Sequence, residues 1–143
     1  MACMTTMSEV EMADPNQKLI LVVDDDELLR EFYTRVLKSQ GYRALLAING
    51  EEAVNLLKEN GDNISLAIID LLMPEMTGWE LIEWMKKTDK VSTIPIVTIT
   101  GLATSFDDFE KVKEVSDAVL HKGDFELKVF NDTIKRLLTQ KAN

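Results

Sequence analysis

A doubly wound α/β sandwich built on a parallel sheet is the fold class this sequence predicts, on three observations. Apolar, β-branched-rich runs alternate five times with segments of helical period, the order that short right-handed crossovers turn into a parallel sheet covered on both faces. Several of those runs stop abruptly at a polar residue, namely Asp24, Asp70, Thr100 and Lys122. No repeat, low-complexity tract or linker interrupts residues 18–140, so a single domain is expected there, with 141–143 as a tail.

Residues 1–17 lack a sustained period and close on Asp14-Pro15-Asn16, a turn signal, so they read as a flexible leader. Lys18–Val23 is the first strand, ending in Asp24, Asp25 and Asp26. Three adjacent carboxylates raise one another's pKa, so a fold that gathers them leaves them in water or supplies a cation such as Mg²⁺, which takes one or two carboxylates and keeps several waters. Glu27–Gln40 is a helix with Leu29, Phe32, Tyr33, Val36 and Leu37 on its inner face, stopped by Gly41. Tyr42–Ile48 is the second strand. Asn49 caps the next helix with Glu52 three residues on, Ala53, Leu56 and Leu57 point inward, and Gly61 ends it. Ile64–Asp70 is the third strand, followed by a turn in which Pro74 fixes its own φ and Gly78 can take dihedrals other residues avoid. A helix over about Trp79–Thr88 places Leu81, Ile82 and Met85 inward, with Trp79 and Trp84 read as packing or surface residues. Pro95–Thr100 is the fourth strand, Phe106–Ser116 a weakly marked helix, and Ala118–Lys122 the fifth strand. The last helix spans about Phe125–Thr139, with Leu127, Phe130, Ile134, Leu137 and Leu138 along it.

Composition narrows the function. Acidic residues outnumber basic ones 25 to 16, for a net charge of −9, which argues against direct DNA binding because phosphate recognition needs a basic patch. The lone cysteine, Cys3, can form no intrachain disulfide, and no apolar run approaches the roughly 20 residues of a membrane span. A cytoplasmic protein with no membrane contact is expected.

In a parallel sheet the strands' carboxyl ends share one edge, so Asp24, Asp25, Asp70, Thr100 and Lys122 can converge although about a hundred positions separate them. Two acids for a metal, one nucleophile, one hydroxyl and one base form a set suited to phosphoryl transfer. Asp70 can attack phosphorus to give an acyl phosphate, Mg²⁺ held by Asp25 and Asp70, with Asp24 acting through water, can neutralise the phosphoryl oxygens, and Thr100 and Lys122 can bind them. Taken alone, Asp70 is better explained as an acid that ends a strand and solvates the turn.

With LVVDDD in the first strand, IIDLLMPEMTG at the third, PIVTITG at the fourth and HKGDF at the fifth, the chain resembles the receiver domains of two-component response regulators, close in layout to stand-alone chemotaxis regulators. The motifs stand in the family's order, 45, 30 and 22 residues apart from Asp25 to Asp70 to Thr100 to Lys122. The resemblance implies a flavodoxin-like five-stranded sheet in the order 2-1-3-4-5 with five helices, and a signalling domain that catalyses its own Mg²⁺-dependent phosphorylation and slow dephosphorylation rather than a conventional enzyme. It implies Asp70 as phosphoacceptor, charged by a histidine kinase or histidine phosphotransfer protein. It implies metal ligation by Asp24, Asp25, Asp70 and the Leu72 backbone carbonyl, and output through the face of helix 4, strand 5 and helix 5. A homodimer, and the choice between a stand-alone regulator and a piece of a longer protein, are left open.

The sequence departs from the family at four points. Val119 replaces the aromatic three residues before the lysine, leaving no ring to accompany the movement of Thr100. Gly123 replaces the following proline, which frees the loop and is expected to loosen Lys122. Thr77 replaces an Asp in the turn, a minor change. Leu72 and Leu102 put apolar side chains where the family controls water access, which implies a long-lived phosphoryl group. Val119 and Gly123 motivate an alternative reading, a phosphorylation-independent interaction module. A third reading, a phosphatase of the haloacid dehalogenase type, draws on Asp24-x-Asp26 but finds Leu28 where that motif wants Thr or Val. His121 precedes Lys122, so alternation aims it at the opposite face, as a packed or surface histidine.

Overall fold

The computed structural model of the chain describes residues 17–71, 76–101, 106–123 and 125–142. Five strands, β1 (Leu19–Val23), β2 (Arg43–Ala47), β3 (Ile64–Asp70), β4 (Ile96–Thr100) and β5 (Ala118–His121), alternate with five helices. The helices are α1 (Glu27–Ser39), α2 (Gly50–Asn60), α3 (Gly78–Lys87), α4 (Phe106–Val115) and α5 (Leu127–Ala142). All strand pairs are parallel and the order is β2-β1-β3-β4-β5, the predicted topology.

The central strands are predominantly apolar because helices cover both of their faces, and every residue of β1 and β4 is buried. Alternation sends successive side chains into two separate cores. One lies between the sheet and α2, α3 and α4 and holds Leu21, Val23, Ala53, Leu57, Leu81, Met85, Ile96 and Val112. The other lies under α1 and α5 and holds Ile20, Val22, Tyr33, Leu37, Ile68, Ile99, Phe130 and Ile134.

Helix ends follow the local chemistry. Gly41 takes φ +87° after α1, with Gly41 N–H donating to Lys38 O at 3.0 Å and Tyr42 N–H to Leu37 O at 3.0 Å, a left-handed stop that glycine adopts without strain. Asn49 caps α2 by accepting the Glu52 N–H at 2.8 Å, while the Glu52 carboxylate reaches back to Ile48 N–H rather than to its own cap. Thr77 caps α3 in a reciprocal pair with Glu80, a role that Asp also fills well, so its replacement of Asp is a minor change.

Three side chains sit elsewhere than the periodicity placed them. Phe32 is 41% exposed and Leu127 50% exposed, so the inner stripe of α1 narrows to Leu29, Tyr33, Val36 and Leu37, and that of α5 starts at Phe130. Phe125 precedes α5 instead of opening it. Gly78 and Gly61 lie outside the left-handed region; each is needed for its missing side chain, because a Cβ would meet the backbone of Asp70 and Leu71 at Gly78, and Leu57 O of α2's own last turn and the Val91 side chain at Gly61. Most of the expected leader, the Leu72 carbonyl, Pro74 and Leu102 lie outside the described residues.

Candidate functional site at the carboxyl edge of the sheet

β1 delivers Asp24 and Asp25 to the sheet edge, and β3, its neighbour, delivers Asp70. Asp24 and Asp70 are buried, at 2% and 3% exposure, whereas Asp25 faces solvent. One carboxylate oxygen of each lies within 4.8 Å of the others. Such a cluster of hard oxygen donors fits a small divalent cation that keeps part of its water shell, and it fits no soft metal.

The third acid of the run is used differently. Asp26 turns away to cap α1, its Oδ1 accepting from Leu28 N–H at 2.9 Å and Leu29 N–H at 3.2 Å, a contact of about 1 kcal/mol in helices generally. That overturns the pairing of Asp24 with Asp26 on which a dehalogenase-type phosphatase would depend. Asp24 is itself fixed, with Oδ1 accepting Asp26 N–H at 2.9 Å and its carbonyl accepting Arg30 Nη1 at 2.8 Å.

Lys122 follows β5 directly, and its N–H donates to Thr100 O at 2.9 Å, continuing the β4–β5 ladder by one residue. Its ammonium lies 3.2 Å from Asp70 Oδ2 and 3.6 Å from Asp24 Oδ2. Burial pulls this group's pKa down, but the charges of Asp70 and Asp24 and the hydrogen bonds they accept outweigh it and hold the pKa above its ordinary value. Burial pushes the Asp24 carboxyl up, and the opposing pulls of the Asp26 N–H and Lys122 do not bring it back. A buried acid that resists ionisation beside a second acid is a site in which added positive charge is welcome.

Thr100 ends β4 at 2% exposure, and its Oγ1 is buried without a hydrogen-bond partner among the described residues. Buried hydroxyls are rarely left so, because each costs about 1–3 kcal/mol in desolvation. His121 is exposed, on the strand face that Val119 shares and opposite to Leu120 and Lys122.

Gly123 does not leave Lys122 unsupported. The lysine stem runs past Gly101, where a Cβ would meet Lys122 Cδ at 3.0 Å, and lines a groove together with Leu29, Phe32, Tyr33 and Phe125. Sequence reasoning missed this wall because Phe125 was assigned to the last helix. The Thr77–Glu80 cap beside the site was also missed, though its Thr-x-x-Glu pattern is written in the chain.

The chain matches the sequence profile of the response regulator receiver domain over residues 20–133. The polar-differentiation response regulator DivK of Brucella anthropi is 27% identical over 121 residues, covering 85% of this chain and 96% of that protein. Histidine kinase P4 of Formosa agariphila is 35% identical over 127 residues, or 89% of this chain, which spans only 9% of that kinase. Among solved structures, the receiver domain of a Syntrophus aciditrophicus signal transduction histidine kinase superposes with a TM-score of 0.78 at 32% identity, covering 86% of this chain and 91% of that one. The Vibrio cholerae chemotaxis protein CheY4 gives 0.75 at 26%, covering 85% and 98%. A profile that spans most of the chain, joined to the same strand order, makes this protein a member of the response regulator receiver domain family, a signalling domain of two-component systems.

Proposed function

We propose that this receiver domain accepts a phosphoryl group on Asp70 from a phosphohistidine of a histidine kinase or histidine phosphotransfer protein in the cytoplasm. The observation that supports the reading is the buried Thr100 hydroxyl, without a hydrogen-bond partner among the described residues, at the edge where the Lys122 ammonium meets Asp70. An Asp70 oxygen attacks phosphorus as the phosphorus–nitrogen bond of the donor breaks, the electron pair returns to the imidazole, and that nitrogen takes a proton. Lys122 exchanges part of its contact with Asp70 for a phosphoryl oxygen, and Thr100 donates its O–H to another. Asp24, Asp25 and Asp70, with the Leu72 carbonyl expected from the family, would hold Mg²⁺, which supplies charge neutralisation at the phosphoryl oxygens.

On this reading the donor protein seats against the exposed apolar side chains Leu28 and Phe32 of α1, beside the mouth of the site. The inward pull on Thr100 repacks the face of α4, β5 and α5 for a downstream protein. Among the described residues no helix is long and apolar enough to cross a membrane.

The test is intact mass after incubation with Mg²⁺ and acetyl phosphate, for wild type, for Asp70→Asn, and with a chelator. One phosphoryl group on wild type alone is expected. An adduct on Asp70→Asn, or none on wild type, overturns the proposal.

A further inference from the structure

A lysine side chain is a flexible stem with about 2 kcal/mol of rotamer entropy, and its charge does useful work only where something fixes the stem. Lys122 is the residue after β5, and the next residue offers no support: a Cβ added at Gly123 would meet nothing within 4 Å. The first side chain after Lys122 that packs, among the described residues, is Phe125. Its ring centroid lies 5.4 Å from Phe32 at 73°, 6.2 Å from Tyr33 at 47°, and 5.3 Å from Phe130 at 47°. Tyr33 in turn stacks on Phe130 at 5.7 Å and 17°. Two members, Tyr33 and Phe130, are fully buried in the core under α1 and α5. Leu29, the rings of Phe32, Tyr33 and Phe125, and Lys122 together line a cavity of about 270 Å³.

We infer that Phe125 is a positioning residue for Lys122: anchored by Phe32, Tyr33 and Phe130, it pins the segment after β5 and shares with the lysine the groove that both line, so that the ammonium stays within reach of Asp70. Edge-to-face and offset ring pairs have preferred geometries, so an aromatic anchor fixes a chain position more narrowly than an aliphatic one of equal area. The bare backbone of Gly101 lies close beside the same stem, near Lys122 Cδ. The inference rests on the proposed role of Lys122 in phosphoryl transfer, and its test has one arm independent of that role.

The first arm follows the Lys122 ε-methylene by NMR in protein with ¹³C-labelled lysine, assigned through Lys122→Arg. Wild type should show ring-current displacement, Phe125→Ala should lose it, and Phe125→Leu, which keeps the groove filled and the fold intact, should reduce it. A Lys122 signal unchanged in both variants overturns the inference, whatever the protein's activity. The second arm measures the phosphorylation rate with acetyl phosphate for Phe125→Ala, Lys122→Ala and the double variant. Phe125→Ala should slow the reaction roughly 10- to 100-fold, the range for a misplaced catalytic group. In the Lys122→Ala background the same change should cost no more than about twofold, because partners acting through one group are not additive. Effects that multiply would mean that Phe125 acts elsewhere and would overturn the inference. Failure of wild type to be phosphorylated sinks the proposed function instead, and the NMR arm then decides the positioning role alone.

Discussion

Replacing Gly78 with alanine should damage both the stability and the chemistry of this domain. Gly78 opens α3, and its N–H donates to Leu71 O at 3.0 Å, so the helix start is drawn against the end of β3. An alanine Cβ there would stand 2.7 Å from Leu71 Cα and 3.0 Å from the Asp70 carbonyl carbon, and closer still to the Asp70 carbonyl oxygen. Ordinary contact begins at 3.4 Å, so the two backbones must part by at least about 0.7 Å (3.4 − 2.7). Overpacking costs roughly 1–3 kcal/mol, and because the obstacles are backbone atoms rather than a yielding side chain the upper end applies. Weakening of the adjacent Thr77–Glu80 cap adds up to about 1 kcal/mol. About 3 kcal/mol in a domain of this size lowers Tm by roughly 10 °C. Urea unfolding followed by the fluorescence of Trp79 and Trp84, both on α3, reads the loss directly. Since the displaced peptide carries Asp70, a shift approaching 1 Å should also slow phosphorylation roughly 100-fold. Gly123→Ala is the control, expected to be neutral or up to about 1 kcal/mol more stable, because its Cβ meets nothing and its φ lies outside the left-handed region. A Gly78→Ala protein within about 0.5 kcal/mol of wild type at unchanged denaturant dependence would refute the close-approach argument.

Gly101→Ala presses on a flexible stem, Lys122 Cδ at 3.0 Å, so stability should move by less than about 0.5 kcal/mol while phosphorylation slows; an unaltered rate counts against the stem's confinement. Thr98, fully buried, shares a 2.5 Å hydroxyl contact with Ser116 beyond the end of α4. Thr98→Val should cost about 1–2 kcal/mol and the Thr98→Val, Ser116→Ala double variant should recover part of it; strictly additive losses would show that the pair is uncoupled. Burial, then the charges of Asp24, Asp70 and Asp26, raise the Tyr33 pKa above its ordinary 10.0. A raised folded-state pKa contributes stability that is intact below pH 10.0 and is lost as pH climbs through the folded value. Tyr33→Phe should therefore differ from wild type by a constant amount below pH 10.0 and flatten the alkaline decline above it. Lys122 titrates in the same alkaline range but is common to both proteins. Parallel denaturation midpoints up to about pH 11 would contradict the sign.

The identity of the edge residues was legible in the sequence because it rests on period and spacing, whereas the strand order came with the resemblance to receiver domains. A covered strand is mostly apolar, so a polar residue that ends the run marks where the strand emerges, which picks out Asp24, Asp70, Thr100 and Lys122 without reference to contacts; Thr98, polar and buried inside β4, is an exception. Roles that depend on which of two neighbours turns inward were not legible. Asp24 and Asp26 look alike in a run of three acids, yet one is buried against Lys122 and the other caps α1. Phe125 was read as the opening of α5 although the helix starts at Leu127, since periodicity alone does not mark a terminus. Gly78 was flagged for its dihedral freedom and is required for its missing side chain, a distinction that needs the second backbone in view.

The two cores described above give the sheet the character of a partition. Alternation assigns Lys122, through Leu120, to the side of α1 and α5, and assigns Thr100, through Thr98 and Ile96, to the side of α4. A group bound between these two side chains would be gripped from both compartments at once. Substitutions under α1 and α5 would then alter how quickly the group is taken up, while substitutions under α4 would alter what its arrival does to the surface. Lineages could retune loading and response separately, with β3 and its Asp70 as the shared wall.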